Sequence, residues 1–226
     1  SEMCIRDRCN GCMACVEKCH RNAITIKDDL KYYNALIDTK KCVDCGLCTK
    51  VCPRENDNDM SKPKWWYQGW ADSEIREHAS SGGAASAIIR AFIKHGGYVA
   101  SCLFDSGKFV FEVTNEMAVA RKFAGSKYVK SNPEKIYGKI QSLLKANQKV
   151  LFIGLPCQVA AVNQFIKDKT NLVTADLICH GTPSPYLLKK CLQEYGHDIN
   201  TLTDINFRIK SLYELNRDGK PIAAFH

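Results

Sequence analysis

The feature that most constrains this chain is a repeated cysteine pattern near its N-terminus. Eight of the thirteen cysteines fall into two runs, Cys9, Cys12, Cys15, Cys19 and Cys42, Cys45, Cys48, Cys52. Each cysteine of the first run precedes its counterpart by 33 residues, which indicates an internal duplication. Disulfide scaffolds are typical of short secreted chains, whereas regular spacing of this kind is typical of metal sites. The repeat therefore predicts metal binding in a reducing compartment.

The repeat resembles the bacterial two-cluster ferredoxins. In that family three cysteines bind one 4Fe-4S cluster, and the fourth cysteine of the run binds the other cluster. The resemblance implies two ligand sets, which we call site 1 (Cys9, Cys12, Cys15 and Cys52) and site 2 (Cys42, Cys45, Cys48 and Cys19). The alternative is structural zinc, which uses paired Cys-x-x-Cys ligands and has no need for the third and fourth cysteines.

One position departs from the ferredoxin pattern. Pro53 follows the second run, as in the family, whereas His20 follows the first. Proline fixes the turn after the ligand, so His20 could loosen that turn or place a titrating group beside the cluster. A solvent-exposed histidine without a role is the simpler interpretation. Residues 23–26 and 35–37 predict the two short strands that complete a ferredoxin fold.

The charge and hydropathy of the chain argue against two classes of partner. The formal charge of +8 counts the cysteines as neutral, and cluster thiolates would offset several of the lysines. Because the lysines are also scattered along the chain, we expect no nucleic-acid partner. No apolar run approaches the roughly 18 residues of a membrane span, and the N-terminus lacks the apolar centre of a signal peptide. These features predict a cytoplasmic protein without a membrane span.

The remaining sequence predicts a linker and a second domain. We expect a non-native extension over residues 1–8, a two-cluster ferredoxin domain over 9–58, a linker with an aromatic segment over 59–72, and an α/β domain over 73–226. The aromatic segment comprises Trp65, Trp66, Tyr67 and Trp70. We expect these rings to pack between the two domains, with flavin stacking or electron relay as the alternative.

Two stretches of the second domain are candidate phosphate-binding elements. Ser81, Gly82 and Gly83 precede a helical pattern, and paired glycines at a helix start let backbone N–H groups approach a phosphate. A plain serine N-cap explains this stretch equally well. Lys127 follows Gly125 and Ser126 and could neutralise a phosphate, although a surface lysine is the default. Between the two stretches, residues 98–104 and 109–114 predict a hairpin.

From residue 150 onward, strand and helix patterns alternate. The predicted fold class is therefore an α+β ferredoxin-like two-cluster domain followed by an α/β domain with a mostly parallel or mixed sheet. Pro156, Cys157 and Gln158 follow one strand, and Cys179, His180 and Gly181 follow the next, so both groups should lie at the carboxyl edge of the sheet. Cys157 could be a redox thiol, a nucleophile or a cluster ligand, with buried packing as the alternative. His180 could donate a proton or simply brace its loop.

Four short motifs carry a second resemblance. They are Ser-Ser-Gly-Gly at 80–83, Gly-Ser-Lys-Tyr-Val at 125–129, Pro-Cys-Gln-Val-Ala at 156–160, and Ile-Cys-His-Gly with Pro-Ser-Pro at 178–185. In this order they resemble the family of coenzyme F(420) hydrogenase/dehydrogenase beta subunits over about residues 65–210. Leu155 and Lys130 are small departures, where threonine and glutamine are expected. Family members usually continue beyond residue 226, so the resemblance implies an incomplete C-terminus.

The resemblance implies an iron-sulfur flavoprotein oxidoreductase that passes electrons between two 4Fe-4S clusters, FAD and a substrate such as a deazaflavin coenzyme. His180 and Cys157 are the candidate catalytic residues. The candidate FAD-binding residues are Ser81, Gly82, Gly83, Gly125, Ser126, Lys127, Pro156, Gln158 and Gly181. The expected partners are an electron donor or acceptor protein (a ferredoxin, hydrogenase or dehydrogenase subunit) and a small-molecule redox substrate. The alternative is a non-catalytic electron-transfer subunit that docks to a separate reductase or hydrogenase and holds no flavin.

Overall fold

The computed structural model describes residues 9–30, 32–56 and 62–208, together with the backbone of two strands at 213–217 and 220–225. The predicted extension over residues 1–8 lies outside the described residues. Among the helices of the described part, none is both long and apolar enough to cross a bilayer.

The cysteine repeat folds into two short helices and a two-stranded sheet. The elements are α1 (Ala14–Lys18), β1 (Ile24–Asp28), β2 (Tyr33–Ile37) and α2 (Leu47–Val51). The strands pair antiparallel and extend two residues further toward their connecting turn than the sequence predicts. Met13 and Gly46 precede the two helices with φ of 63° and 69°, so the duplication in sequence is also a duplication in backbone conformation.

The second domain alternates helices and strands. Its helices are α3 (Ser73–Glu77), α4 (Ala84–Lys94), α5 (Met117–Ala120), α6 (Ile136–Lys145), α7 (Pro156–Phe165) and α8 (Pro185–Glu194), with 3-10 turns at Arg121–Phe123 and Ile199–Thr201. Its strands are β3 (Tyr98–Asp105), β4 (Lys108–Thr114), β5 (Val150–Gly154), β6 (Leu172–Asp176), β7 (Ile205–Asn206), β8 (Tyr213–Arg217) and β9 (Lys220–Phe225).

The main sheet of this domain is mixed, with strand order β4-β3-β5-β6. Strands β3, β5 and β6 run parallel, and β4 is an antiparallel edge strand joined to β3 by a turn at Ser106 and Gly107. These two residues have φ of 48° and 80°, the left-handed values that a tight hairpin turn requires. Strands β7, β8 and β9 form a separate antiparallel sheet. The prediction of a ferredoxin-like region followed by an α/β domain with a mixed sheet is confirmed.

Helices cover both faces of the main sheet, as expected for buried parallel strands. On one face, Ile89 of α4 packs with Val99, Leu151 and Ile153. On the other face, α6 and α7 pack over Phe111 and Phe152. The carboxyl ends of β3, β5 and β6 therefore share one edge of the sheet, where the loops that carry the predicted site residues begin.

The cysteine repeat packs against the α6 and α7 face of the second domain. Cys12, Ala14 and Val51 share a buried core with Tyr137 and Phe165. The Tyr137 hydroxyl donates a hydrogen bond to the Cys12 carbonyl oxygen, and its ring stacks on Phe165 with centroids 5.3 Å apart. The buried contact holds the cluster-binding region against the α/β domain.

Glu17 adds a polar contact to this interface. Its carboxylate accepts hydrogen bonds from the backbone N–H groups of Tyr137 and Gly138 in the first turn of α6. First-turn N–H groups have no partner within their own helix, and the helix dipole favours a negative charge there. Glu17 therefore caps a helix that lies about 120 residues further along the chain.

Replacing Glu17 by alanine should weaken this interface. The Glu17→Ala change leaves two backbone donors without their acceptor, which should lower the free energy of unfolding by about 1–3 kcal/mol. The midpoint of urea unfolding measures the effect. Glu134→Ala is the matched control, because it removes the same charge from an exposed position beside α6 and should change stability by no more than about 0.5 kcal/mol. Equal effects of the two changes would contradict a specific capping role.

Two expectations about local structure are wrong. Trp65, Trp66, Tyr67 and Trp70 are 73–91% exposed, so their rings do not pack between the domains. The N-cap of α4 is Gly83, with φ of 77°, and no side chain caps the helix. A serine was expected there because serine is a common N-cap. The Ser80 hydroxyl instead accepts a hydrogen bond from the Ser126 N–H group.

Candidate functional site

The four thiols of site 1 line one cavity. Cys9, Cys12, Cys15 and Cys52 surround it, together with Cys48. Cys12 and Cys15 each interact electrostatically with both Cys9 and Cys52. The last cysteine of the second run thus lies beside the first three cysteines of the first run, which is the arrangement that a crossed ligand set requires.

The surroundings of site 1 suit thiolates bound to iron. Burial raises the pKa of the Cys12 thiol to about 12 and also raises the pKa of Cys15. A bare thiolate is therefore unfavourable there, and bound iron would supply the positive charge that stabilises it. The side chains of Met13, Ile26 and Ile37 form apolar walls that exclude water.

Backbone N–H groups also point at the cysteine sulfurs. Cys9 Sγ accepts from Gly11 N at 3.4 Å and from Ala35 N at 3.5 Å. A Cβ atom on Gly11 would lie 2.5 Å from a ring carbon of Tyr33, so this close turn requires glycine. In the second run, Asp44 N donates to Cys42 Sγ at 3.5 Å, which repeats the Gly11 contact. Hydrogen bonds to sulfur of this kind tune the reduction potential of a cluster.

Site 2 lies closer to the surface. Cys42 and Cys45 are exposed, whereas Cys19 and Cys48 are half-buried. Cys19 Sγ accepts a hydrogen bond from Ala23 N at 3.3 Å. His20, the departure from the ferredoxin pattern, is exposed, as its simpler interpretation predicts. Within the described ranges, no three His, Cys, Asp or Glu side chains are placed to hold a single metal ion.

A cavity of about 1000 Å³ lies in the second domain. Its walls include Ser80, Ala124, Gly125, Ser126 and Lys127, as well as residues from α4, the end of β3 and the stretch 203–208. Ser126 N donates to Ser80 Oγ at 2.8 Å, so two of the sequence motifs meet at this wall. The cavity is lined by basic side chains (Arg90, Arg121, Lys122 and Arg208) and by acidic ones (Glu74, Glu77, Asp105 and Asp204), and Arg90 pairs with Glu74 at 3.3 Å. The volume fits a cofactor, and Arg121 and Lys122 are basic groups that could contact its phosphates.

Lys127 makes structural contacts at the cavity wall. Its Nζ atom donates to the carbonyl oxygens of residues 122–125 at 2.6–3.1 Å. Burial lowers the pKa of the Lys127 amine to about 8, and the nearby Cys102 and Asp204 side chains act in the opposite direction. The ammonium therefore fixes the bend of the chain beside the cavity, and its contact with a phosphate stays a prediction.

Gln158 is fully buried at the start of α7. Its side-chain oxygen accepts from Leu155 N, and its side-chain nitrogen donates to Ser131 Oγ, both at 2.9 Å. Gln158 thereby connects the loop after β5 to Ser131, which follows the cavity-lining residues 124–127 in the chain. Both ends of its amide have protein partners, so its predicted contact with a cofactor remains untested.

Cys157, at the start of α7, contacts a buried lysine. The Lys130 side chain is only 6% exposed, and its Nζ donates to Cys157 Sγ at 3.4 Å. Cys157 also interacts electrostatically with Cys12. Lys130, Tyr137 and Glu17 are not among the site residues predicted from the sequence, and for Lys130 the available signal was its departure from the family pattern.

The third group of predicted residues lies at the surface. Cys179 and His180 are exposed, and Gly181 N donates to Cys179 Sγ at 3.3 Å. Gly181 has φ of 114°, a conformation that favours glycine. The predicted site residues thus fall into four places. Gly125, Ser126 and Lys127 line the large cavity, whereas Ser81, Gly82 and Gly83 lie at the start of α4 and are not among its lining residues. Pro156, Cys157 and Gln158 lie at the start of α7, and residues 179–181 lie at the surface.

Two family models match the sequence. Residues 8–56 match the 4Fe-4S dicluster domain, and residues 147–225 match the C terminus of the coenzyme F(420) hydrogenase/dehydrogenase beta subunit. The chain thus carries a 4Fe-4S dicluster domain followed, over residues 147–225, by the C-terminal domain of this family of beta subunits. The resemblance inferred from the sequence motifs is confirmed, and the N-terminal repeat is a ferredoxin-like 4Fe-4S domain.

Two curated relatives belong to Methanocaldococcus jannaschii and Methanosarcina mazei. An uncharacterized protein of Methanocaldococcus jannaschii is 25% identical over 199 residues, which cover 74% of this chain and 55% of that protein. One subunit of the F(420)H(2) dehydrogenase of Methanosarcina mazei is 21% identical over an alignment 239 residues long, which covers 97% of this chain and 67% of that protein. The chain spans between one half and two thirds of the length of these relatives.

A solved structure shares the fold. A chain of the F(420)-reducing [NiFe] hydrogenase complex from Methanosarcina barkeri superposes with a TM-score of 0.52 at 18% sequence identity. The superposition covers 66% of this chain and 55% of that chain. At this identity, the similarity supports the fold of the matched region alone.

Proposed function

We propose that this protein is an iron-sulfur oxidoreductase subunit in which sites 1 and 2 each hold a 4Fe-4S cluster and the large cavity holds FAD. The observation that carries this proposal is the stretch 125–131, which joins the two regions. Gly125, Ser126 and Lys127 line the cavity, whereas Lys130 contacts Cys157 at the start of α7. Three residues of chain span at most about 11 Å, so the cavity wall lies close to the start of α7, the helix that packs against the cluster-binding region.

The residues of the chain have distinct tasks in this arrangement. The cysteine thiolates would hold the clusters, apolar walls exclude water from site 1, and Tyr137 and Glu17 fix its position on the α/β domain. Bound clusters carry single electrons, and a bound flavin exchanges these for the two-electron chemistry of an organic substrate. Ser80, Ser126 and Arg121, which line the cavity, would bind the phosphates.

The relatives support the choice of substrate and partner. Their names describe an F(420)H(2) dehydrogenase subunit and an F(420)-reducing hydrogenase complex. We therefore propose a deazaflavin coenzyme or a similar organic acceptor as substrate, and a hydrogenase or dehydrogenase subunit as the electron partner. In this proposal His180, which is exposed in the loop after β6, would give a proton to a substrate at the carboxyl edge of the sheet.

The second candidate function is an electron-transfer subunit without flavin. Its support is the surface position of site 2, where Cys42 and Cys45 are exposed and Val43 is 61% exposed. A cluster near the surface suits electron exchange with another protein. The two candidates share both clusters and differ only in the content of the large cavity.

Flavin binding separates the two functions. After anaerobic reconstitution with iron, sulfide and FAD, we expect about eight iron atoms and one FAD per chain. Ala124→Trp places an indole in the cavity and should abolish flavin binding while the iron content stays unchanged. The control is Ala146→Trp, at an exposed position after α6, which should bind FAD normally. Full iron with no flavin in the unmodified protein would exclude the flavoenzyme and leave the electron-transfer subunit.

A further inference from the structure

A lysine and a cysteine are in contact within the α/β domain. Lys130 Nζ lies 3.4 Å from Cys157 Sγ and donates a hydrogen bond to it, although the two residues are 27 positions apart. Lys130 is only 6% exposed, whereas Cys157 is half-buried. A small oxidant can therefore reach the thiol from solvent, while the amine is enclosed beside it.

Neighbouring contacts hold this pair in place. Ser131 and Gln158, the residues that follow each member of the pair, are joined by a hydrogen bond of 2.9 Å from Gln158 Nε2 to Ser131 Oγ. Lys130 N donates to Pro183 O at 3.0 Å, which fixes the backbone of the lysine. Cys157 is the second residue of α7. Because both backbones are fixed, a reaction between the two side chains starts from positioned partners.

An amine in contact with a thiol suits one oxidative reaction. Oxidants convert a cysteine thiol to a sulfenic acid, which can condense with a neighbouring nitrogen to give a sulfenamide. The side-chain nitrogen in contact with this sulfur belongs to Lys130. Because a lysine amine sits on a flexible stem, it can approach the sulfur more closely without a shift of the backbone.

We propose that Cys157 and Lys130 form a reversible sulfenamide cross-link when the protein meets hydrogen peroxide. The Cys157 thiol first reacts with peroxide, so that an S–O bond forms and one water molecule is released. The Lys130 nitrogen, after losing its extra proton to solvent, then attacks the sulfur. The S–N bond forms, the S–O bond breaks, and a second water molecule is released. The sulfur is oxidised by two electrons, and peroxide is reduced to water.

The cross-link would enclose elements that support the contact between the domains. The chain between Lys130 and Cys157 includes β5 and α6, and Tyr137 of α6 donates to the Cys12 carbonyl oxygen. A covalent bond that closes this loop restricts the unfolded chain, so the oxidised protein should resist unfolding of the segment more than the reduced protein does. The reaction requires no cofactor and is independent of the proposed function.

Peptide mass spectrometry tests the cross-link. The full chain, after anaerobic reconstitution, is treated with hydrogen peroxide, denatured in N-ethylmaleimide to block free thiols, and digested with trypsin. We expect two peptides joined through Lys130 and Cys157, lighter than their sum by about 2 Da and separated by dithiothreitol. Lys130→Gln should give no joined pair, and dimedone should trap its Cys157 as the sulfenic acid. Lys145→Gln, which removes an exposed amine from α6, is the matched control and should cross-link normally.

Two results would overturn the inference. If Cys157 of the unmodified protein is found only as a thiol, a higher oxide or a disulfide, the amine does not react with it. If a joined pair of the same kind persists in Lys130→Gln, another nitrogen is the partner. Should Lys130→Gln fail to fold, Lys130→Met keeps most of the apolar stem and is tested in its place. Iron and flavin content do not enter this measurement, so its failure leaves the proposed function standing.

Discussion

Replacing Cys45 by serine should remove one of the two clusters and lower the iron content from about eight to about four atoms per chain. A 4Fe-4S cluster held by three of four thiolates is prone to lose iron, and Cys45 is exposed to solvent. Iron and sulfide analysis after anaerobic reconstitution measures the loss. The control is Cys191→Ser, in α8, which should retain all of the iron. This is the largest expected effect on cofactor content from a single substitution at site 2.

The same series tests how the ligands cross between the runs. Cys19→Ser should give the same EPR spectrum as Cys45→Ser, because both residues belong to site 2. Cys52→Ser should give the complementary spectrum, because Cys52 lines the cavity of site 1. If Cys52→Ser instead matches Cys45→Ser and Cys19→Ser gives the complementary spectrum, each run binds its own cluster and the crossed assignment is wrong.

Tyr137→Ala should destabilise the protein by about 3–5 kcal/mol, the largest effect on stability that we expect from a single change. Tyr137 is fully buried, and its ring stacks on Phe165 in the core that joins the two domains. Truncation leaves a cavity in this core and removes the donor to the Cys12 carbonyl oxygen. The midpoint of urea unfolding, followed by far-UV circular dichroism, measures the loss.

Two control variants divide this effect into its parts. Tyr137→Phe keeps the ring and leaves only the Cys12 carbonyl oxygen without its donor, which should cost about 1–3 kcal/mol. Tyr195→Ala removes an exposed tyrosine at the end of α8 and should change stability by no more than about 0.5 kcal/mol. A Tyr137→Ala variant as stable as Tyr195→Ala would show that the ring does not hold the domains together.

The sequence predicts features that depend on short-range pattern. The cysteine spacing identifies the 4Fe-4S domain, because the chain must wrap closely around its ligands. The alternation of strands and helices after residue 150 gives β5, α7, β6 and α8 in the correct order, since the apolar period differs between strands and helices. The hairpin at Ser106 and Gly107 is likewise encoded by neighbouring residues.

The contacts between the domains cannot be predicted in this way. Nothing in the sequence distinguishes Glu17 from the other acidic residues, because its partners lie in α6. Tyr137 likewise cannot be distinguished in the sequence from other aromatic core residues. The partner of Lys130 is 27 residues away, on a different element. The prediction that the aromatic segment packs between the domains is wrong for a different reason. An aromatic composition favours burial, but it does not determine whether this chain supplies the surface that covers the rings.

The hydrogen bonds from α6 to Glu17 and Cys12 join residues that are 120 to 125 positions apart. In contrast, the turns, strands and short helices that surround the cysteines all form within residues 9–56. Contacts between distant positions form later in folding than local contacts, and chains fold from the N-terminus as they are synthesised. The cysteine repeat can therefore bind iron before α6 has packed against it. When α6 packs, it covers Cys12 and closes site 1.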